Sequence, residues 1–201
     1  MKIFIATANK HKKSELLKIL PSQNNKGEKF KYLTFLDFPN LTSPEENALT
    51  LKENALIKAR ALQKVTTMPI ISDDTGLEIL SMDNKPGLHT ARYAESLGGH
   101  QEAFKDIFKN IEGKDRSATF VCDIVLLNVE DKPLRFEARI PGHIAESVKG
   151  ESGFGYDPIF ICDEVGKTYA SLTSEEKNRV SHRGKALKKL VTYLKINNLI
   201  Y

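Results

Sequence analysis

An α/β protein, with a mixed twisted sheet flanked by helices, is the fold class this sequence predicts. Three observations lead there. Short runs rich in Val, Ile and Phe read as strands, stretches with Leu and Ala at helical spacing read as helices, and the two alternate without a regular βαβ rhythm. With 201 residues, 40% of them hydrophobic, the chain is long enough for one substantial core, and residues 1–201 are read as a single domain with two lobes.

Lys2–Ala6 reads as a buried strand, Thr7-Ala8-Asn9 as a turn, and the residues after it as a basic helix with Leu16, Leu17 and Leu20 on its apolar side. Pro21–Lys29 is a polar loop and Lys31–Asp37 a second strand. Ser43-Pro44-Glu45-Glu46 then announces a helix: Ser43 caps it, Pro44 suits the first position, and Glu46 completes a capping box. Ala48, Leu51, Ala55, Ala59 and Leu62 give that helix its apolar stripe. Met68–Ser72 is a short strand that ends on Asp73-Asp74-Thr75-Gly76, a group of ordinary turn formers. Gln101–Ile111 reads as a helix, Arg116–Val129 as the clearest strand, and Leu134–Ile144 as its antiparallel return. Asp157–Cys162 is a further strand, and a basic helix over about 183–195 carries Leu187, Leu190, Val191 and Leu194 on one side.

Composition removes several classes of function. No apolar run approaches the roughly 18 residues of a membrane helix, and the first residues lack the pattern of a signal peptide. Cys122 and Cys162 are the only cysteines, which suits reduced thiols in a cytoplasmic protein. Net charge is +4, but residues 1–31 and 165–201 each carry +6 while residues 32–164 carry −8. Basic ends suit nucleic acid, a membrane surface or a small polyphosphate, and only the last also employs the acidic middle, to hold a metal.

Thr7 to Lys12, between strand and helix, combines hydroxyl, amide and ammonium groups with the backbone donors of a helix start, an arrangement suited to anions. The glycines of a P-loop are missing. Glu45 and Glu46 suit helix capping and also place carboxylates at a fixed terminus. In Gly150–Pro158, three glycines let backbone approach a ligand, Phe154 or Tyr156 suits stacking on a flat ring, and Asp157 suits a base edge or the orientation of a neighbour. Ser181-His182-Arg183-Gly184, with Lys177 upstream, suits phosphates or a purine edge. The five histidines are scattered, so oxygen ligands for magnesium or manganese are expected rather than a zinc site.

In this order the motifs resemble the inosine triphosphate pyrophosphatase family, also called the Ham1 family of non-standard purine NTP pyrophosphatases. The match rests on Thr7–Lys12, Glu45-Glu46 with Glu53-Asn54-Ala55, Ser72–Leu77, Pro86–Tyr93, Gly153–Phe160 and Ser181–Gly184. The resemblance implies hydrolysis of ITP, dITP and XTP to the monophosphate plus pyrophosphate, two lobes around a central substrate cleft, a homodimer and a Mg²⁺ requirement, with Mn²⁺ as substitute. It implies that Thr7, Ala8, Asn9, Lys10, His11 and Lys12 hold the triphosphate, with Lys58 neutralising phosphate charge and Thr75 keeping a hydroxyl at the site. Glu45 or Glu46 would bind metal with Asp74, the general base, and Asp73 would tune that base. Phe154, Gly155, Tyr156, Asp157, Lys177, His182 and Arg183 would recognise the base. Ala8 stands where the family usually has Gly, a substitution that matters if the position needs a positive φ. The alternatives are a Maf-type pyrophosphatase acting on pyrimidine or modified nucleotides, and a basic nucleic-acid-binding module.

Overall fold

The computed structural model describes residues 1–38 and 40–197. Its strands are β1 (Lys2–Ile5), β2 (Lys31–Thr34), β3 (Ile70–Ile79), β4 (Lys85–Gly87), β5 (Ser117–Leu127), β6 (Leu134–Ile144), β7 (Phe160–Cys162) and β8 (Lys167–Thr168). The helices are α1 (Lys10–Ile19), α2 (Leu51–Gln63), α3 (Thr90–Ser96), α4 (His100–Asn110), α5 (Ser174–Val180) and α6 (His182–Ile196). The strands pair in the order β2-β1-β3-β5-β6-β7-β8, with β4 on β3. β1 runs parallel to β2 and β3, whereas β3–β4, β6–β7 and β7–β8 are antiparallel, so the sheet is mixed.

The chain divides into two compact units, one of residues 1–74, 122–137 and 183–201, the other of 75–121 and 138–182. In the first, Ala55, Ala59 and Leu62 of α2 pack with Phe4, Leu33, Ile70 and Val125 of the strands. In the second, Ala103, Phe104 and Ile107 of α4 share a cluster with Leu77, Ile79, Phe120 and Ile140. Each helix thus buries residues three or four apart, and each strand contributes its inward face.

Five expectations need correction. The helix read from Ser43 starts only at Leu51, capped by Thr50, whose hydroxyl accepts from the Glu53 N–H at 3.2 Å. Residues 43–49 lie outside it because their polar groups have tertiary partners: the Ala48 N–H donates to Asn54 Oδ1 at 3.0 Å, and Glu46 pairs with Lys58. The turn read at Asp73–Gly76 is the middle of β3; Leu77 to Ile79 pair with Gly87 to Lys85, and sheet pairing overrides turn preference. The chain turns instead after Leu80, where Asp83 and Asn84 adopt positive φ (53° and 61°). β2 stops at Thr34, because Asp37 accepts from the Thr34 N–H at 2.7 Å and curls Phe35–Asp37 into a 3-10 turn. β7 begins at Phe160 rather than Asp157, which is tied into the preceding loop, and Leu17 is exposed.

Candidate active site

In the first unit the site begins where β1 meets α1. The Thr7 hydroxyl accepts from the Asn9 N–H at 3.1 Å, and Asn9 Oδ1 accepts from the N–H groups of His11 and Lys12 at 2.9 and 3.2 Å. Asn9 is thus the helix cap, and it takes two of the backbone donors that an anion would use. Lys12 is half-buried, and Ala8, Lys10 and His11 are exposed. Among the described residues, positive φ outside glycine occurs only at Asp83, Asn84 and Asn128, so Ala8 meets no left-handed backbone penalty.

β3 brings Asp73 and Asp74 in buried, and successive strand residues point to opposite faces, so the two carboxylates meet different partners. Asp73 Oδ2 lies 3.2 Å from Lys12 Nζ and accepts from Arg183 Nε at 3.1 Å. Burial works against its charge, but Lys12, Arg183 and Lys58 together hold its pKa well below the usual carboxylate range. Asp74 Oδ1 lies 3.6 Å from Lys58 Nζ, which also contacts Glu46 Oε1 at 3.0 Å. Here burial wins: it raises the Asp74 pKa, Glu46 and Asp73 add to the rise, and Lys58 and Lys12 only partly offset it. Lys58 is buried too, yet Asp74, Asp73 and Glu46 reverse that effect and raise its pKa.

Two acids that look equivalent in sequence therefore differ. Asp73 is held as an anion and Asp74 has a raised proton affinity, while each keeps one buried oxygen, Asp73 Oδ1 and Asp74 Oδ2, without a hydrogen-bond partner. No trio of His, Cys, Asp or Glu among the described residues forms a ready metal cage. Magnesium does not require one, since it commonly binds one or two carboxylates together with water and substrate phosphates. The vacant Asp74 oxygen, with Glu46 on the same lysine, fits that donor set. Of the two glutamates proposed, Glu46 reaches this cluster and Glu45 is exposed.

In the second unit, Gly153 (φ 79°) and Gly155 (φ 64°) shape the loop before β7. Asp157 Oδ2 accepts from the Phe154 N–H at 2.7 Å and from Lys177 Nζ, and the Lys177 ammonium lies 4.8 Å from the Phe154 ring centroid. Asp157 therefore orients its neighbours. Tyr156 is buried in the core with its hydroxyl donating to the Thr90 carbonyl at 3.0 Å, which removes its ring from the stacking role and leaves Phe154. His182 stacks on Phe120, with centroids 4.4 Å apart. Arg183 is engaged by acids. It belongs to the first unit, where its guanidinium is buried between Asp73 and Glu15. Thr75 is half-buried within β3.

Glu15 and Phe120 were not singled out in the sequence. Glu15 follows Lys12 by three residues on α1, so a side chain on the same helical face was there to be found. Phe120 carried no such mark among the apolar residues of its strand.

On a mixed α/β sheet, Asp73 pairs with Lys12 and Arg183, and Asp74 and Glu46 with Lys58, a charge pairing suited to a protein that handles phosphorylated ligands. The chain belongs to the Ham1 family, whose profile matches residues 3–193. It is 40% identical over 199 residues to the dITP/XTP pyrophosphatase of Treponema denticola, covering 97% of this chain and 99% of that protein. A dITP/XTP pyrophosphatase of Elusimicrobium minutum is 39% identical, covering 97% and 100%. The structure of a HAM1 protein from Coxiella burnetii superposes with a TM-score of 0.84 at 35% identity, covering 97% of this chain and 98% of that one. The Staphylococcus aureus Ham1 protein gives 0.84 at 31%, covering 98% and 100%.

Proposed function

We propose that the protein is a nucleoside-triphosphate pyrophosphatase acting on non-standard purine nucleotides, converting ITP, dITP and XTP to the monophosphate and pyrophosphate. The observation that carries this reading is Asp74: buried, raised in pKa, with one oxygen on Lys58 and one unpartnered. Relatives near 40% identity over almost the whole chain, named dITP/XTP pyrophosphatases, support the substrate class.

In this mechanism Lys12 and Lys58 bind the triphosphate and stabilise charge that develops on the leaving pyrophosphate. Asp74 accepts the proton of the attacking water, a role suited to a carboxylate whose pKa lies above its ordinary value. Asp73 stays ionised and holds Lys12 in place until phosphate competes for it. Asp74 and Glu46 are the residues that would hold Mg²⁺ or Mn²⁺, which when bound supplies Lewis-acid stabilisation of phosphate oxygens. Phe154 stacks on the base, while Lys177 and His182 offer donors to the purine six-oxygen; an amino group there leaves a donor unpaired, which disfavours adenine. The reading includes a cytoplasmic homodimer.

Neither alternative is favoured. The family match and the relatives' names count against the Maf-type reading. They count equally against a nucleic-acid-binding module. Turnover of ITP, dITP, XTP, ATP and GTP, with Mg²⁺ and with chelator, tests the proposal. Monophosphate and pyrophosphate from the first three, lost on chelation, is the expected result; equal rates on ATP and ITP contradict the selectivity.

A further inference from the structure

We propose that Phe120 is a positioning residue for nucleobase selection, fixing the plane of the His182 imidazole by face-to-face stacking. The two rings lie 4.4 Å apart between centroids and 7° from parallel. Tyr169 extends the arrangement, 5.8 Å and 18° from Phe120, and 6.1 Å and 25° from His182. Phe160 meets Phe120 edge-on, at 4.7 Å and 69°. Phe120 is therefore held by aromatic neighbours on more than one side. His182 is only 4% exposed and Phe120 only 6%, so solvent offers the imidazole little room to tilt.

The terminal torsion of histidine is broad and roughly two-fold, so packing rather than covalent geometry decides where its ring nitrogens point. His182 opens α6, which fixes its backbone, and the stack on Phe120 holds the plane of its ring. Direction matters for a donor that must meet a purine oxygen and be left unpaired by an amino group, because discrimination comes from that mismatch. An aliphatic side chain at 120 fills much of the same volume but imposes no ring plane. The inference rests on the proposed role of His182 in reading the base and adds the residue that aims it.

The test compares kcat and KM for ITP and ATP, with melting temperatures, in Phe120→Leu, Phe120→Tyr, His182→Ala and the Phe120→Leu/His182→Ala double variant. Phe120→Leu is expected to lower the ITP-over-ATP preference about tenfold, chiefly through KM for ITP. Phe120→Tyr keeps the preference, and Phe120→Leu removes nothing further once His182 is Ala. Equal loss on both nucleotides, an unchanged preference, or a full additional loss in the double variant overturns the proposal and leaves Phe120 as core packing. If His182→Ala retains the wild-type preference, the base-reading role of His182 fails and the proposal with it. If His182→Ala loses the preference and Phe120→Leu does not, only the positioning role fails. Should Phe120→Leu not fold, the wild-type proton spectrum decides: a ring-current upfield shift of the His182 ring protons supports the stack, and its absence overturns it.

Discussion

Asp73 and Asp74 differ by one position and by most of their chemistry. Alternation along β3 turns Asp73 toward Lys12 and Arg183, and Asp74 toward Lys58. Asp74→Asn is therefore expected to lower kcat by about 10²–10⁴. Its KM for ITP should change far less, and steady-state kinetics beside a melting curve checks both. The acid limb of the wild-type kcat profile should lie to the high-pH side of an ordinary aspartate's, because burial raises the Asp74 pKa.

Acid stability follows from the other carboxylate. The folded pKa of Asp73 is depressed, so the stabilisation it contributes is fully present above the unfolded value of about 3.9 and is lost as pH falls through the folded value. Asp74 acts with the opposite sign, since a raised folded pKa favours the folded state as its proton returns. Melting temperature below about pH 4 should accordingly decline less steeply in Asp73→Asn than in the wild type. Identical acid limbs would remove Asp73 as a source of acid lability. The adjacency of the two acids was plain in the sequence; their separation was not, because it depends on lysines and an arginine brought from positions 12, 58 and 183.

At the scale of elements, the long periodic segments were legible and the segments held by tertiary contacts were not. α4, β5, β6 and α6 follow their apolar patterns to within about two residues, as expected where burial and period agree. Ser43-Pro44-Glu45-Glu46 carries every local mark of a helix start, yet Thr50 caps α2 instead, because Lys58 and Asn54 engage the earlier residues from outside. Asp73–Gly76 likewise looks like a turn and is a strand held by its neighbours. The loop before β7 depends on its glycines in a way the sequence did hint at. A Cβ at Gly153 would stand 2.1 Å from Asp157 Oδ2 at a φ of 79°. Gly153→Ala is thus expected to displace Asp157 from Phe154 and Lys177, to cost on the order of 1–3 kcal/mol in stability, and to raise KM for ITP more than it lowers kcat. Denaturant unfolding together with kinetics checks this; unchanged KM would dissociate the loop from base binding.

For the whole molecule, the uneven charge along the chain finds its explanation inside the first unit. Lys12 and Arg183 come from the two basic ends and close on Asp73 of the acidic middle, while Lys58 closes on Asp74 and Glu46. The same pairs that neutralise these carboxylates supply the cations proposed for the triphosphate. The α/β class was readable from the alternation of apolar strand and helix patterns, and family membership from six short motifs spread along nearly the whole chain. The division of labour within the site was not readable, because it arises from burial and from partners distant in sequence.

Departure of pyrophosphate as the leaving group requires that water attack the α-phosphorus of the triphosphate. Hydrolysis of ITP in water enriched in oxygen-18, followed by mass spectrometry of both products, tests it directly. The account predicts that inosine monophosphate carries the label and pyrophosphate does not. Label in pyrophosphate, or the appearance of inosine diphosphate and orthophosphate, would contradict it.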